Sequence, residues 1–323
     1  MNLRMNTFFA AFAILMLSSK LLAQEQPNLL SNSKVTTIGY WNIGDKSIYH
    51  VTESDTKYKA NSDKIARQSK VEYDLELKVV DSTEHTYVFE ARYLNQKHET
   101  NDQELEKILN SLQMESVIRY QTDEFGTFDT ILNLTELKDE LVQKLKESKT
   151  MVAESKDPEM AKTYTTVIDL FIANFSTLED VEAMYITDII TIHGIYGFEL
   201  TLSKPIDLEM IFPTIGNLSL TGTGKLTLIS INKAKNLAIM NLSSKPNKEE
   251  LKEFMFSFIT VFMMDKTKKI NFKEANVNMS NKLKMTMSLS DGWMESVESS
   301  QTAIISDSKD KVKKMSSKLF TRK

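Results

Sequence analysis

The side chains that most often perform catalysis or hold metals are scarce in this chain of 323 residues, which has four histidines and no cysteine. The histidines are His50, His85, His98 and His193, and none has a second histidine two to four positions away, as the usual local pair of zinc ligands requires. Thiol catalysis is excluded, and no G-x-S-x-G sequence is present to raise a nucleophilic serine. We therefore predict no catalytic residue, no metal site and no cofactor.

Two further patterns resemble catalytic motifs without meeting their requirements. Residues 222–225 read Gly-Thr-Gly-Lys, but the first Gly and the final Ser or Thr of a phosphate-binding loop are missing. Glu72, Asp74 and Glu76 alternate with apolar residues, which is typical of a solvated strand face and not of two carboxylates facing each other across a cleft. We predict that the protein is not an enzyme, and an unrecognised hydrolase is the least supported alternative.

The first 23 residues have the features of a secretory signal. Arg4 provides a positive charge, residues 8–17 form an apolar core, and Ala23 supplies a small residue before the predicted cleavage point. We expect export, with the periplasm as the destination, followed by a linker at residues 24–38. No cysteine follows to carry a lipid anchor, and no second apolar run of membrane-spanning length occurs.

The charge balance and the lack of cysteine narrow the classes of partner and fold. The net charge is −4, and it becomes more negative when Arg4 and Lys20 leave with the signal. An acidic chain without a basic stripe offers little to a phosphate backbone, so we predict no binding of nucleic acid. Without disulfides, the fold must be stabilised by burial alone.

Alternation of apolar and polar residues predicts a first β-rich module at residues 39–133. A leading strand at 43–51 precedes a hairpin made by residues 71–79 and 87–93. A helix then begins near Asn101, where Glu104 completes a capping pair. A second hairpin turns at residues 123–126, which include a glycine suited to a positive φ.

The same order of elements, β-β-α-β-β, recurs in a second module at residues 189–305. Its leading strand is predicted at 195–202, its first hairpin at 218–242, and its last two strands at 283–289 and 294–305. Asn247 and Glu250 form the capping pair of its helix. This recurrence indicates an internal duplication.

The second module also contains the predicted ligand site. Its helix carries the best amphipathic stripe of the chain, and several of the 17 methionines lie in the strand that follows. Thioether and aromatic side chains suit a cavity for acyl chains, although they equally suit an ordinary core. The predicted ligand-binding residues are Phe254, Phe258, Phe262, Met285 and Met287.

Together these patterns predict an α+β fold with mainly antiparallel sheets in two duplicated β-β-α-β-β modules. A helical connector at residues 134–188 joins the modules. The basic segment at 306–323 is predicted to be a solvated tail. The sequences Asp81-Ser82-Thr83 and Asp129-Thr130-Ile131 also match short acceptors of O-linked glycans, which would have to lie in exposed turns.

The order of elements, together with short motifs, resembles a family of uncharacterised exported proteins of Gram-negative bacteria that carry a domain of unknown function. The motifs are Tyr196-Gly197, Pro213, Gly216-Asn217 and Gly292-Trp293. The resemblance implies an envelope location and no particular activity. In architecture alone, strands covered by helices are also similar to periplasmic lipoprotein carriers of the LolA type.

We therefore expect a non-enzymatic periplasmic protein that binds a lipid, another hydrophobic ligand or an apolar segment of a partner. The alternative is a structural or protein-interaction module of the cell envelope, in which the helices of the chain cover the apolar faces of the sheets completely. An apolar cavity would favour the first function, and an exposed sheet edge would favour the second.

Overall fold

The computed structural model describes residues 15–16, 33–100, 106, 110, 116–153, 158–174, 177–213, 219–262, 275–306 and 311–323. Strands account for 56% and helices for 24% of the structure. The strands of the first half are β1 (Leu15–Met16), β2 (Lys34–Thr36), β3 (Lys46–Tyr58), β4 (Ile65–Ser82), β5 (Thr86–Thr100), β6 (Ile118–Asp123) and β7 (Phe128–Ile131). Those of the second half are β8 (Glu199–Thr201), β9 (Pro205–Pro213), β10 (Ser219–Asn232), β11 (Leu237–Pro246), β12 (Asn276–Ser288), β13 (Met294–Ser306) and β14 (Lys311–Arg322).

Four helices accompany the strands within the described ranges. They are α1 (Leu134–Ala153), α2 (Pro158–Asn174), α3 (Leu178–His193) and α4 (Lys248–Phe262). None of them is long and apolar enough to cross a membrane.

All the strands except β2 and β8 belong to one sheet, and every neighbouring pair in it is antiparallel. The strands follow one another in the order β1, β9, β10, β11, β12, β13, β14, β3, β4, β5, β6 and β7. The predicted α+β class with two modules is therefore wrong, because a single continuous sheet dominates the fold. The duplication stays an interpretation of the order of elements.

Strand β14 joins the two halves of the sheet, since it pairs with β13 on one side and with β3 on the other. The prediction of a solvated tail for this segment is therefore wrong. The sequence misleads because the side chains of β14 that face the core include Lys314, Lys318 and Arg322, whose charges are neutralised by nearby acids. Alternation of apolar residues, the usual signal of a strand, is consequently weak here.

Several local predictions are confirmed. The hairpins β4–β5, β6–β7 and β10–β11 form as expected. Helix α4 begins directly after Asn247, whose Oδ1 accepts the backbone N–H groups of Glu249 at 2.9 Å and Glu250 at 3.3 Å. The helix predicted near Asn101 lies outside the described residues, apart from two positions. The leading strand predicted at 195–202 is shorter than expected, because only Glu199–Thr201 forms a strand, and it pairs with β2 outside the large sheet.

One face of the sheet, here called the inner face, carries the buried side chains and lies against the helices. Helix α3 contacts it through Asp188, which meets Tyr73 of β4 and Tyr93 of β5. Helix α4 packs on β10 and β12 of the same sheet. At one end of the inner face, aromatic side chains pack together in a group that we call the aromatic cluster. In it the ring centroids of Trp41 and Trp293 are 4.9 Å apart.

Candidate functional site

A row of polar side chains crosses the inner face over seven strands, from β11 to β5. Each member lies directly opposite the next in the strand register, so all of them point to the same side of the sheet. The members of this polar row are Ser244, Asn281, Gln301, Ser316, Asp55, Ser69 and Thr100. A parallel row nearer the aromatic cluster is mostly apolar: Met240, Met285, Val297, Phe320, Val51 and Tyr73. The inner face is thus divided into an apolar part and a polar part.

The polar row has partners in its central part and lacks them at one end. Ser316 donates a hydrogen bond to Asp55, and the Nζ of Lys314 lies 3.2 Å from Oδ1 of Asp55. At the other end, Ser244 Oγ and Asn281 Oδ1 are buried and have no hydrogen-bond partner within the part of the chain that the structure describes. A buried polar atom without a partner costs stability, so its presence here needs an explanation.

A groove of about 450 Å³ opens between the first turn of α4 and strands β10 and β12. Its walls combine apolar side chains with amides and hydroxyls, and the two charges in its lining are lysines. The lining residues are Thr221, Gly222, Thr223, Lys245, Pro246, Asn247, Lys248, Leu251, Asn276, Val277, Asn278 and Met279. Ser244 and Asn281 lie next to this groove, one or two residues further along β11 and β12.

Helix α4 is held firmly against the groove by its first turn. The carboxylate of Glu250 accepts two hydrogen bonds from Thr221, one from the backbone N–H at 2.6 Å and one from the hydroxyl at 2.7 Å. The backbone N–H of Asn247 donates to the carbonyl of Thr221 at 2.7 Å. This wall of the groove is therefore preformed and does not depend on a ligand to order it.

The predicted ligand residues lie beside this groove, and those with described side chains do not line it. Met285 and Met287 are fully buried on the inner face, where Met285 is opposite Met240. Phe254 is half-buried on α4 and packs against the core. Phe258 and Phe262 belong to the same helix, but their side chains lie outside what is described.

A buried ionic cluster fixes helix α3 to the centre of the sheet. The Nζ of Lys318 lies 2.6 Å from Asp188 and 2.8 Å from Glu53, and Asp188 also accepts hydrogen bonds from Tyr73 and Tyr93. Burial lowers the pKa of Lys318, but the charges of Asp188 and Glu53 outweigh it and hold the pKa above its ordinary value. All the groups have partners, so the cluster is structural.

The four histidines do not form a site. His193 is fully buried at the end of α3, inside the aromatic cluster. Its Nδ1 donates to the carbonyl of Gly126 at 2.8 Å, so Nε2 accepts the hydroxyl of Tyr120 at 2.9 Å. Burial lowers its pKa to about 4, although the bond to Gly126 opposes this. The ring is neutral and fully bonded.

Another histidine belongs to a polar group on the outer face. His50 Nδ1 lies 3.2 Å from Asp74, which also contacts Asn95 at 2.8 Å and Lys323 at 2.6 Å. The hydrogen bond from Lys323 is the main reason that the pKa of Asp74 is lowered to about 2. Among the described residues, no group of three or more histidine or acidic side chains could hold a metal ion.

Sequence reasoning missed the groove and the polar row for identifiable reasons. The groove wall contains Gly222, part of the sequence that resembles a phosphate loop, where an added Cβ would lie 2.3 Å from the carbonyl of Lys245. A glycine in a strand often marks a close approach of another chain segment, and this was the available signal. The polar row depends on the register of distant strands, which no local pattern reveals.

Comparison with models of known protein families and with curated protein sequences finds no match to this chain.

Proposed function

We propose that the protein is a non-enzymatic binding protein of the cell envelope that holds a hydrophobic ligand between the inner face of its sheet and helix α4. The observation that carries this proposal is the preformed groove between α4 and strands β10 and β12. Concave sites that combine apolar side chains with hydrogen-bonding groups are typical of small-molecule binding.

The composition of the groove supports binding without chemistry. Apolar walls are provided by Leu251, Val277 and Met279. If a ligand buries a methylene group against them, that group contributes roughly 0.8 kcal/mol to the binding free energy. The lining contains no acid and no histidine that could act as a general acid or base at neutral pH.

The proposal is tested by titrating the protein with N-phenyl-1-naphthylamine, an uncharged apolar probe whose fluorescence rises when it leaves water. Lys248 is exposed and lies three residues before Leu251 on the face of α4 that lines the groove, so Lys248→Trp places an indole ring there without disturbing a buried position. We expect this variant to bind the probe roughly tenfold more weakly, or worse, because the ligand and the ring compete for space.

The matched control is Lys282→Trp, which makes the same change of side chain on the exposed outer face of β12. It should bind the probe as the native protein does. Failure of the native protein to bind the probe, or equal loss of binding in both variants, would contradict the placement of the ligand in this groove.

A second candidate, a protein-interaction module, is favoured by the edge of the sheet at β9. Leu15 and Met16 pair with Ile211 and Met210 of this strand, and they belong to the segment predicted to be removed as a signal. Removal would leave β9 open to an extended segment of another envelope protein. A photoreactive residue at exposed position 209 should then crosslink to a partner in cells, while the same residue at position 282 should not. Absence of crosslinks at both positions would argue against this candidate.

A further inference from the structure

Two buried polar atoms at the groove end of the polar row lack partners. Ser244 and Asn281 are directly opposite each other on β11 and β12, and each is only 5% exposed. In the described part of the chain, no group bonds to the serine Oγ or to the asparagine Oδ1, and the two side chains are not bonded to each other. The sheet thus removes two hydrogen-bonding atoms from water without replacing the lost bonds.

Such a pair is costly for a core but useful for a binding site. Every unpaired polar atom that is buried reduces the stability of the folded protein, whereas leucine or alanine here would remove that cost. The central members of the same row, Asp55 and Ser316, do have partners. Of the polar row as the structure describes it, the buried atoms without a partner are those of Ser244 and Asn281, at the end that adjoins the groove.

The surroundings of the pair define the chemistry of a matching ligand. Along their strands the pair is flanked by Leu242, Pro246, Met279 and Leu283, which are buried and apolar. Across the strands their neighbours are a glycine on β10 and a glutamine on β13, both uncharged. A charged ligand group would lose its hydration here without meeting an opposite charge.

The hydrogen-bonding capacity of the two atoms narrows the ligand further. The Oδ1 of Asn281 can only accept, so the ligand must offer a donor, and the hydroxyl of Ser244 can donate or accept. We propose that Ser244 and Asn281 anchor an uncharged amphiphile, an acyl chain bearing hydroxyl or amide groups, at the inner end of the groove. This inference rests on the proposed function and specifies the class of ligand.

The experiment compares two uncharged probes with the same acyl chain, monoolein and methyl oleate, by isothermal titration at neutral pH. Monoolein has two hydroxyl donors and methyl oleate has none. We expect the native protein to bind monoolein roughly five- to tenfold more tightly, as one or two net hydrogen bonds would give. In Asn281→Leu and in Ser244→Ala this preference should shrink towards onefold.

A second readout shows that the variants fold and that the pair is unsatisfied. Both Asn281→Leu and Ser244→Ala should raise the melting temperature of the ligand-free protein, because an unpaired polar atom has been removed. Ser243→Ala, on the exposed face of the same strand, should change neither the preference nor the melting temperature.

The possible outcomes separate this inference from the proposed function. Equal binding of both probes by the native protein overturns the anchor and leaves the hydrophobic site intact. Preference for monoolein that persists in both variants also overturns the anchor. Binding of neither probe overturns the proposed function and the anchor together.

Discussion

His193 should make the stability of this protein depend on pH between pH 6.5 and pH 4. The ring is neutral and completely buried in the folded chain, where its pKa is lowered to about 4 from an ordinary value of 6.5. Unfolding exposes the ring, which then binds a proton at any pH below 6.5. The contribution of the neutral ring to stability is therefore fully present above pH 6.5 and is lost as the pH falls towards 4.

The size of the effect follows from the two pKa values. When the pH falls from 8 to 4.5, protonation of the exposed ring stabilises the unfolded chain by almost two pKa units more than protonation of the buried ring stabilises the folded chain. This difference corresponds to a loss of about 2.5 kcal/mol in the free energy of unfolding. The hydrogen bonds to Gly126 and Tyr120 do not remove the effect, because protonation would place a positive charge at a site that is fully buried away from water.

Urea unfolding followed by tryptophan fluorescence measures this effect directly. Both tryptophans of the chain, Trp41 and Trp293, lie in the cluster that surrounds His193. His193→Gln keeps an uncharged donor and acceptor but cannot be protonated, so the difference between pH 8 and pH 4.5 should shrink by about 2.5 kcal/mol.

The control for this experiment is His85→Gln, which alters an exposed turn and should leave the pH dependence unchanged. Burial also lowers the pKa of His98 and raises that of Glu182, and these groups affect native protein and variant alike. If His193→Gln keeps the native pH dependence, the ring is not held neutral by burial and the reasoning fails.

Two further substitutions test the framework. Lys318→Met leaves Asp188 and Glu53 buried without their cation, and it should lower the free energy of unfolding in urea by about 3 kcal/mol or more. Lys318→Arg keeps a positive charge and should lower it much less. Equal losses in the two variants would contradict the charge argument. Gly292 has a φ of +72°, and the Cβ of an alanine there would lie only 2.5 Å from a backbone oxygen. Gly44 has a φ of +97°, but the space around it is open. Calorimetry should therefore show a larger fall in melting temperature for Gly292→Ala than for Gly44→Ala.

Local elements of this fold could be predicted from the sequence because they depend on neighbours in the chain. The alternation over residues 71–79 and the cap at Asn247 were sufficient for the β4–β5 hairpin and for the start of α4. The continuous sheet could not be predicted, because β14 buries Lys318 and Arg322 against acids that are distant in sequence. The site depends on the register of strands separated by such contacts.

The structure keeps its stabilising groups and its candidate binding groups at different places on the inner face. His193 and the ionic cluster of Lys318 are fully bonded and fix α3, whereas the unpaired atoms of Ser244 and Asn281 lie beside the groove under α4. Substitutions at separate sites without shared partners act independently. His193→Gln should therefore change stability at low pH without changing the preference for monoolein at neutral pH. Asn281→Leu should remove that preference while raising the melting temperature, and coupling between the two variants would show that one network serves both roles.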